Sequence, residues 1–237
     1  MITPIIQRFD EVGSTNDIAL EMARDGAPEG TVVVAQSQTK GRGRRGRSWF
    51  ANPGESVILS AILRPEIPAN RYSELAFVAA VAVAECLEQN CNLRPELKWP
   101  NDALVGDKKI AGILVEAGGG AAVVGIGVNV RQAHLPEELS EIATSVAIEG
   151  GACLDVDTIT QALVENLFAV CDLPFEEILG RWRKYMWGLG RSVDVDTEGA
   201  TVSGVIAGID FDGALLIDHD GGTRRLVAAD AIRCRVG

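Results

Sequence analysis

Hydrophobic residues recur along this chain in short β-branched runs and in longer stretches with a helical period. A β-branched run predicts a strand at residues 31–36. Further strands are predicted at 57–63, 97–99, 103–105, 109–116 and 121–130. Gly106-Asp107 and the glycines at 118–120 separate the last three runs. The segment from 103 to 130 is therefore predicted to form two successive hairpins.

Four other segments have the patterns of helices. Ser14 begins the first, Asp17 completes an S-x-x-D capping box, and Gly26 can end the helix. Residues 71–89 are rich in Ala and Leu and apolar on most sides, which predicts a buried helix. Two further helices are predicted at about 158–171 and 175–187.

The pattern changes after Gly188. Short β runs follow at 192–196, 201–209, 214–218 and 223–227, separated by glycine-containing turns. This spacing predicts a small closed or nearly closed β-barrel. We therefore expect two domains, residues 1–188 and residues 189–237.

The composition excludes several classes of protein. The 237 residues are 47% hydrophobic, enough for one sizeable core and a small second domain. No run of about eighteen apolar residues suggests a membrane span, and residues 1–9 lack the features of a signal peptide. Five scattered cysteines without a C-x-x-C motif indicate reduced thiols and a cytoplasmic protein. With only two histidines, a histidine-based metal site or triad is disfavoured.

Residues 41–50, GRGRRGRSWF, reverse the sign of charge in a chain whose net charge is −11. Four guanidinium groups on a glycine-rich backbone suit a polyanion or a migrating phosphoryl charge. The glycines also match G-x-G-x-x-G and nearly match a P-loop, but both motifs require a helix directly afterwards. Here Trp49, Phe50 and a turn-rich Asn-Pro-Gly follow, so both are rejected. The two rings beside the arginines suggest a lid over a planar group.

Three weaker signals accompany this loop. Asn101 and Asp102 stand at a strand-to-hairpin junction, where a carboxylate can be held rigidly. Glycines alternate within residues 125–129, which exposes a backbone edge to a ligand. The segment at 14–16 is mainly a helix cap, although helix N-termini also bind anions and ureido-like acceptors. Each signal alone also fits an ordinary turn, tight packing or a cap.

Together, these segments resemble the biotin protein ligases. The shared motifs are STN (14–16), GRGRRGRSWF (41–50), KWPND (98–102), KKIAGILVE (108–116), GIGVNV (125–130) and ATSV (143–146). The resemblance spans the whole chain. These enzymes join biotin to ATP, release pyrophosphate, and pass biotin from biotinyl-5′-AMP to a lysine of a carrier protein. The implied fold is α/β (α+β type), a class II synthetase-like mixed sheet with helices packed on one face, followed by an SH3-like β-barrel.

The resemblance also implies site residues. The implied biotin-binding residues are Ser14, Thr15, Asn16, Gln38, Gly41, Arg42, Arg44, Lys109, Gly112, Leu114 and Gly127. The implied ATP- or AMP-binding residues are Arg44, Arg47, Trp49, Asn101, Lys109 and Asn129. The implied catalytic residues are Arg42, Arg44, Lys109 and Asp102. Of these, Asp102 would orient the acceptor amine or take its proton. Mg²⁺ is expected with the ATP phosphates, although no carboxylate cluster identifies its ligands.

The expected partner is the biotin carboxyl carrier protein or domain of a carboxylase. Some members of the family carry an N-terminal DNA-binding domain, but this chain begins almost at the STN helix, so we expect no DNA binding. Relatives are often homodimers through a sheet edge or face, and residues 121–130 are a candidate for such an element.

Two alternative functions are considered. A lipoate–protein ligase shares the fold and the adenylation chemistry, but it lacks GRGRRGR and the KWPND…KKIAG block. A non-enzymatic RNA-binding module would carry aromatic residues interleaved with further basic patches. Here only Trp49 and Phe50 accompany one basic loop in an acidic protein.

Overall fold

In a computed structural model, which describes residues 2–229 and 231–235, the first part of the chain forms a seven-stranded sheet. Its strands are β1 (Ile5–Val12), β2 (Thr31–Gln38), β3 (Ser56–Leu63), β4 (Glu96–Lys98), β5 (Asp102–Val105), β6 (Lys108–Gly118) and β7 (Ala121–Asn129). The strand order is β1-β2-β3-β7-β6-β5-β4. The β1–β2 pair is parallel and the other pairs are antiparallel, so the sheet is mixed, as predicted.

Helices cover both faces of this sheet. They are α1 (Thr15–Arg24), α2 (Leu75–Cys91), α3 (Glu137–Ser140), α4 (Val156–Cys171) and α5 (Phe175–Lys184). The predicted packing on one face holds for α2, α4 and α5, which share the main core with Val32, Leu59 and Val124. Helix α1 packs on the opposite face, against Val33 and Ile62. The two faces separate because neighbouring residues of a strand point to opposite sides.

The C-terminal part forms a five-stranded antiparallel sheet. Its strands are β8 (Ser192–Thr197), β9 (Ala200–Ile209), β10 (Leu215–His219), β11 (Gly222–Leu226) and β12 (Ala231–Cys234), in the order β11-β10-β9-β8-β12. Buried residues of this sheet, such as Val193 and Ile217, belong to the same core cluster as α2. The Trp99 Nε1–H group donates to the Gly213 carbonyl at 3.0 Å. The two sheets are therefore packed through one continuous core.

Two strands, β1 and β12, were not predicted. β1 is an edge strand with mostly exposed side chains, so its sequence has no regular alternation. It is held by parallel pairing with β2, and β12 is held by pairing with β8. Pairing between strands that are distant in sequence leaves no local signal.

The predicted capping box at α1 does not form. Ser14 is the N-cap and has extended backbone angles, but its side chain makes no capping hydrogen bond. The Asp17 carboxylate instead lies 2.6 Å from Arg42 Nη2. A charge pair with the arginine loop thus replaces the cap.

Residues 121–130 cannot supply a dimer edge. Strand β7 lies between β3 and β6, and all nine of its residues are buried. The edges of the seven-stranded sheet are β1 and β4.

No helix among the described residues is long and apolar enough to span a membrane.

Candidate active site

A cleft of about 670 Å³ opens on the face of the seven-stranded sheet that carries α1. Its walls are the first turn of α1, the arginine loop (residues 41–50), the segment 98–102 and the segment 135–143. Every site residue expected from the sequence lines this cleft except Gly41. The Gly41 carbonyl accepts a hydrogen bond from the Trp49 N–H group at 3.0 Å. Gly41 therefore joins the two ends of the arginine loop and does not line the cleft.

Two glycines form the floor of the cleft. Gly112 in β6 and Gly127 in β7 are register partners. A Cβ atom on Gly127 would lie 2.5 Å from Trp49 Cε2, and one on Gly112 would lie 3.0 Å from Trp49 Cζ3. The Trp49 indole therefore rests directly on bare backbone. Its buried Nε1–H group has no hydrogen-bond partner among the described residues, so a ligand oxygen would satisfy it.

The end of the cleft beside α1 is a small polar pocket. The backbone N–H and hydroxyl groups of Thr15 donate to Gln38 Oε1 at 2.7 and 3.1 Å. Ser60 Oγ donates to Asn16 Oδ1 at 2.6 Å, and Asn16 Nδ2 donates to Glu116 Oε2 at 2.7 Å. Because Thr15, Asn16 and Ser60 are buried, these groups are already oriented before a ligand arrives. Such a pocket suits a small ring with its own N–H and carbonyl groups.

Arg42 and Arg44 attach the arginine loop to the walls of the cleft. Arg42 Nη2 lies 2.6 Å from an Asp17 carboxylate oxygen and 2.9 Å from Glu116 Oε2. Arg44 Nη1 donates to the neutral Asn101 side chain at 3.1 Å. Burial lowers the pKa of the Arg44 guanidinium, which nevertheless stays charged at neutral pH. Arg42 thus anchors the loop, and Arg44 brings positive charge into the cleft.

A β-bulge brings Lys109 into the cleft. Ala103 pairs with Ala111 and Leu104 pairs with Lys109, so Ile110 is an extra residue in β6. Ile110 and Ala111 are both buried in the core. The bulge reverses the alternation of side chains, and Lys109 therefore faces the same side as Gly112.

The Lys109 ammonium group lies close to a carboxylate and to an aromatic ring. Its Nζ atom lies 2.6 Å from Asp102 Oδ1 and 5.6 Å from the centroid of the Trp49 ring. The contact with Asp102 is an ion pair without hydrogen-bond geometry, so Oδ1 has no directed donor among the described residues. The neighbouring Lys108 points elsewhere, and its Nζ donates to the Ser140 carbonyl at 2.7 Å.

The sequence did not predict every wall of the cleft. Ser60 and Glu116 complete the polar pocket, but each is one polar residue within a strand and carries no local signal. The segment 135–143 is attached to β6, since Lys109 N–H donates to the Ile142 carbonyl at 2.9 Å. Asn129 is held beside it by a 2.9 Å hydrogen bond to the Thr144 carbonyl. In the described part of the chain, no group of three His, Cys, Asp or Glu residues is arranged to hold a metal.

The fold and the cleft together define a class of protein. A polar pocket, a glycine floor and the cations Arg44 and Lys109 form one continuous site that can hold a small acid beside a phosphate. The chain belongs to the biotin/lipoate A/B protein ligase family, whose model matches residues 9–132. A second model, the biotin protein ligase C-terminal domain, matches residues 188–233.

Individual relatives agree with this assignment. The chain is 36% identical over 232 residues to the bifunctional ligase/repressor BirA of Bacillus subtilis, covering 93% of this chain and 71% of that protein. It is 35% identical to the biotin–[acetyl-CoA-carboxylase] ligase of Mycobacterium tuberculosis, covering 95% and 87% of the two chains. A biotin protein ligase from Aquifex aeolicus, solved with biotin and ATP, superposes with a TM-score of 0.88 at 29% identity, covering 97% and 99%. These matches confirm the predicted family and fold class.

Proposed function

We propose that this chain is an ATP-dependent biotin–protein ligase. It forms biotinyl-5′-AMP from biotin and ATP, and then transfers biotin to a lysine of a biotin carboxyl carrier protein or domain. The observation that carries the proposal is the polar pocket at α1 joined over a glycine floor to Arg44 and Lys109. The names of the relatives, including the Mycobacterium tuberculosis ligase, support the same activity.

The polar pocket favours biotin over lipoate. The ureido ring of biotin offers N–H groups and a carbonyl, which can pair with Ser14, Thr15, Asn16 and Gln38. The dithiolane ring of lipoate has no such groups, so binding it would leave these buried side chains without new partners. The pocket is continuous with Leu114, Gly112 and Gly127, along which the valeryl chain would lie once the Trp49 ring moves off the two glycines. The RNA-binding alternative is also not favoured by the relatives.

In the first step, the biotin carboxylate attacks the α-phosphorus of ATP. A carboxylate O–P bond forms, and the bond to the β-phosphate breaks, so that pyrophosphate leaves with the electron pair. Charge gathers on the phosphoryl oxygens, and fixed cations stabilise it without reorganising. Arg44 and Lys109 supply these cations, with Arg47 as a further contact. Trp49 and Asn129 would border the adenosine.

In the second step, the acceptor lysine attacks the biotinyl carbonyl of the adenylate, and AMP leaves. Asn101 and Asp102 line the cleft where β5 begins. Asp102 Oδ1 is buried beside Lys109 Nζ, but the Asp102 side chain is 26% exposed, so the carboxylate can accept a hydrogen bond from the incoming amine. Asp102 thus orients the amine or takes its proton.

The proposal also includes Mg²⁺ bound to the ATP phosphates, a cytoplasmic location and a homodimer through an edge of the sheet. The described cysteines are free, which supports a reducing compartment. Edge strand β1, with its exposed Ile5 side chain, is the candidate for the dimer edge. We retain the division into residues 1–188 and 189–237, and the net charge of −11 disfavours a role in DNA binding.

ATP–pyrophosphate exchange tests the proposed function. The wild-type protein should exchange labelled pyrophosphate into ATP only when biotin is present. A biotin carboxyl carrier domain added with biotin and ATP should become biotinylated on one lysine. Exchange that requires lipoate rather than biotin, or that needs neither acid, would reject the proposal.

Arg44→Gly is expected to release the activated intermediate. Arg44 reaches across the cleft and donates a hydrogen bond to Asn101. Without this bond the arginine loop is held less firmly at the place where the adenylate must be retained. The variant should consume ATP slowly and biotinylate albumin added to the reaction, as detected on a blot.

Arg44→Lys is the matched control, because it keeps the charge while losing the planar fork. It should label less albumin than the glycine variant. If Arg44→Gly turns over ATP yet labels albumin no more than the wild type does, Arg44 acts in the chemical step alone.

A further inference from the structure

Lys98 stands at the end of a row of residues that crosses the floor of the cleft. Register partners run from Ile58 in β3 through Gly127, Gly112 and Asp102 to Lys98 in β4. Partners in adjacent strands point to the same face of a sheet. Lys98 therefore lines the cleft one strand beyond Asp102, at the end farthest from α1.

The Lys98 side chain is held by an aromatic ring and not by an ion pair. Its Nζ atom lies 4.6 Å from the centroid of the buried Trp187 ring. Trp187 in turn donates its indole N–H group to Asp107 Oδ1 at 2.6 Å, and Arg191 donates to the same oxygen at 2.7 Å. No carboxylate of the described residues comes within 4.0 Å of Lys98 Nζ.

Two other cations that line the cleft, Lys109 and Arg42, differ from Lys98 in this respect. Lys109 is paired with Asp102, and Arg42 is paired with two carboxylates. Lys98 is half-buried, and this burial lowers the pKa of its ammonium group. A desolvated cation that touches no carboxylate costs free energy, which an anion in the cleft would recover.

The direction of the first chemical step indicates which anion this is. Helix α1 packs against β2, β3, β7 and β6, so biotin bound at its first turn lies over that half of the sheet. In an in-line displacement, the leaving group departs on the side of the phosphorus opposite the attacking carboxylate. With the α-phosphate between Arg44 and Lys109, pyrophosphate leaves toward β5 and β4, where Lys98 stands.

We propose that Lys98 binds the β- and γ-phosphates of ATP and stabilises the departing pyrophosphate. This inference rests on the proposed ligase function and assigns a further residue to its first half-reaction. The ammonium group neutralises charge that develops on the leaving oxygen when the P–O bond breaks, and no proton needs to move. The competing role for Lys98 is to orient Asp102, its register partner, for the second half-reaction.

Measuring the two half-reactions separately distinguishes these roles. Lys98→Met keeps much of the aliphatic stem against Trp187 and removes the charge. Losing one charge-assisted contact of about 1.5–3 kcal/mol should raise the KM for pyrophosphate, in the reverse reaction with biotinyl-AMP, by about 10- to 100-fold. The KM for biotin and the transfer of biotin from supplied biotinyl-AMP to the carrier should remain within about twofold of wild type.

Two further variants complete the test. Lys108→Met removes an equivalent charge outside the cleft, and its KM for pyrophosphate should match the wild type. Lys98→Arg should recover most of the pyrophosphate affinity, because it keeps the positive charge. If the Met variant does not fold, Lys98→Gln removes the charge in its place. An unchanged KM for pyrophosphate, or slowing of the transfer half-reaction instead, overturns the assignment. A wild-type protein without biotin-dependent exchange rejects the ligase function itself, whatever the variants do.

Discussion

Lys109→Ala is expected to slow biotin-dependent ATP–pyrophosphate exchange about a hundredfold, equivalent to roughly 3 kcal/mol. The bulge in β6 directs the Lys109 ammonium group into the cleft beside Asp102 and the Trp49 ring. There it can stabilise charge that develops on the α-phosphate, from a position that is fixed before the reaction. The rate of exchange at saturating biotin and ATP is the measurement.

Lys108→Ala is the matched control for Lys109. It removes the same side chain from the adjacent position. Lys108 does not line the cleft, and its Nζ donates to the Ser140 carbonyl. Its exchange rate should stay close to wild type. Both variants should unfold cooperatively at similar temperatures, which separates a chemical effect from a folding effect. Near wild-type exchange in Lys109→Ala would remove this residue from the proposed mechanism.

Gly127→Ala should abolish most of the activity while leaving the fold in place. The added methyl group would meet the Trp49 ring and no backbone atom among its three nearest neighbours. The ring can move aside, so we expect the free energy of unfolding to change by less than about 1 kcal/mol. The floor of the cleft, however, would rise by the thickness of a methyl group. Displacing the reacting atoms by about 1 Å costs about a hundredfold in rate.

Gly180→Ala provides the comparison for Gly127. Gly180 lies within α5, and a Cβ atom there would have no neighbour within 4 Å. Exchange should be unaffected, and stability should rise slightly because alanine favours a helix. The decisive measurements are exchange kinetics and biotin binding by calorimetry. If Gly127→Ala binds biotin and adenylates it normally, the two-glycine floor is not the ligand surface.

Local signals were sufficient for much of the fold. The hairpin of β5 and β6 turns at Gly106 and Asp107, as the sequence predicted, and both residues have positive φ angles. The buried helix α2 follows from its apolar composition, although a 3-10 segment, Ala69–Glu74, precedes it. Each of these elements depends on residues that are close together in the chain.

The position of Lys109 shows where such reasoning fails. In a regular strand, Lys109 and Gly112 would point to opposite faces, because their numbers differ by three. The bulge at Ile110 removes this conflict, but its presence depends on how β5 pairs with β6. The sequence thus identified the chemically important lysine without identifying the backbone feature that directs it.

The sequence by itself determined most of the helices, strands and turns of this protein, with β1 and β12 as exceptions, and it determined which family motifs occur and where positive charge concentrates. These properties depend on short-range sterics and on the side chains present. The tertiary structure decided which of these groups meet. Arg42 pairs with Glu116, Asn16 with Ser60, and Lys98 joins the row of Gly112 and Gly127. Such contacts join distant segments through the order and register of strands, which depend on the packing of the whole core and not on local sequence.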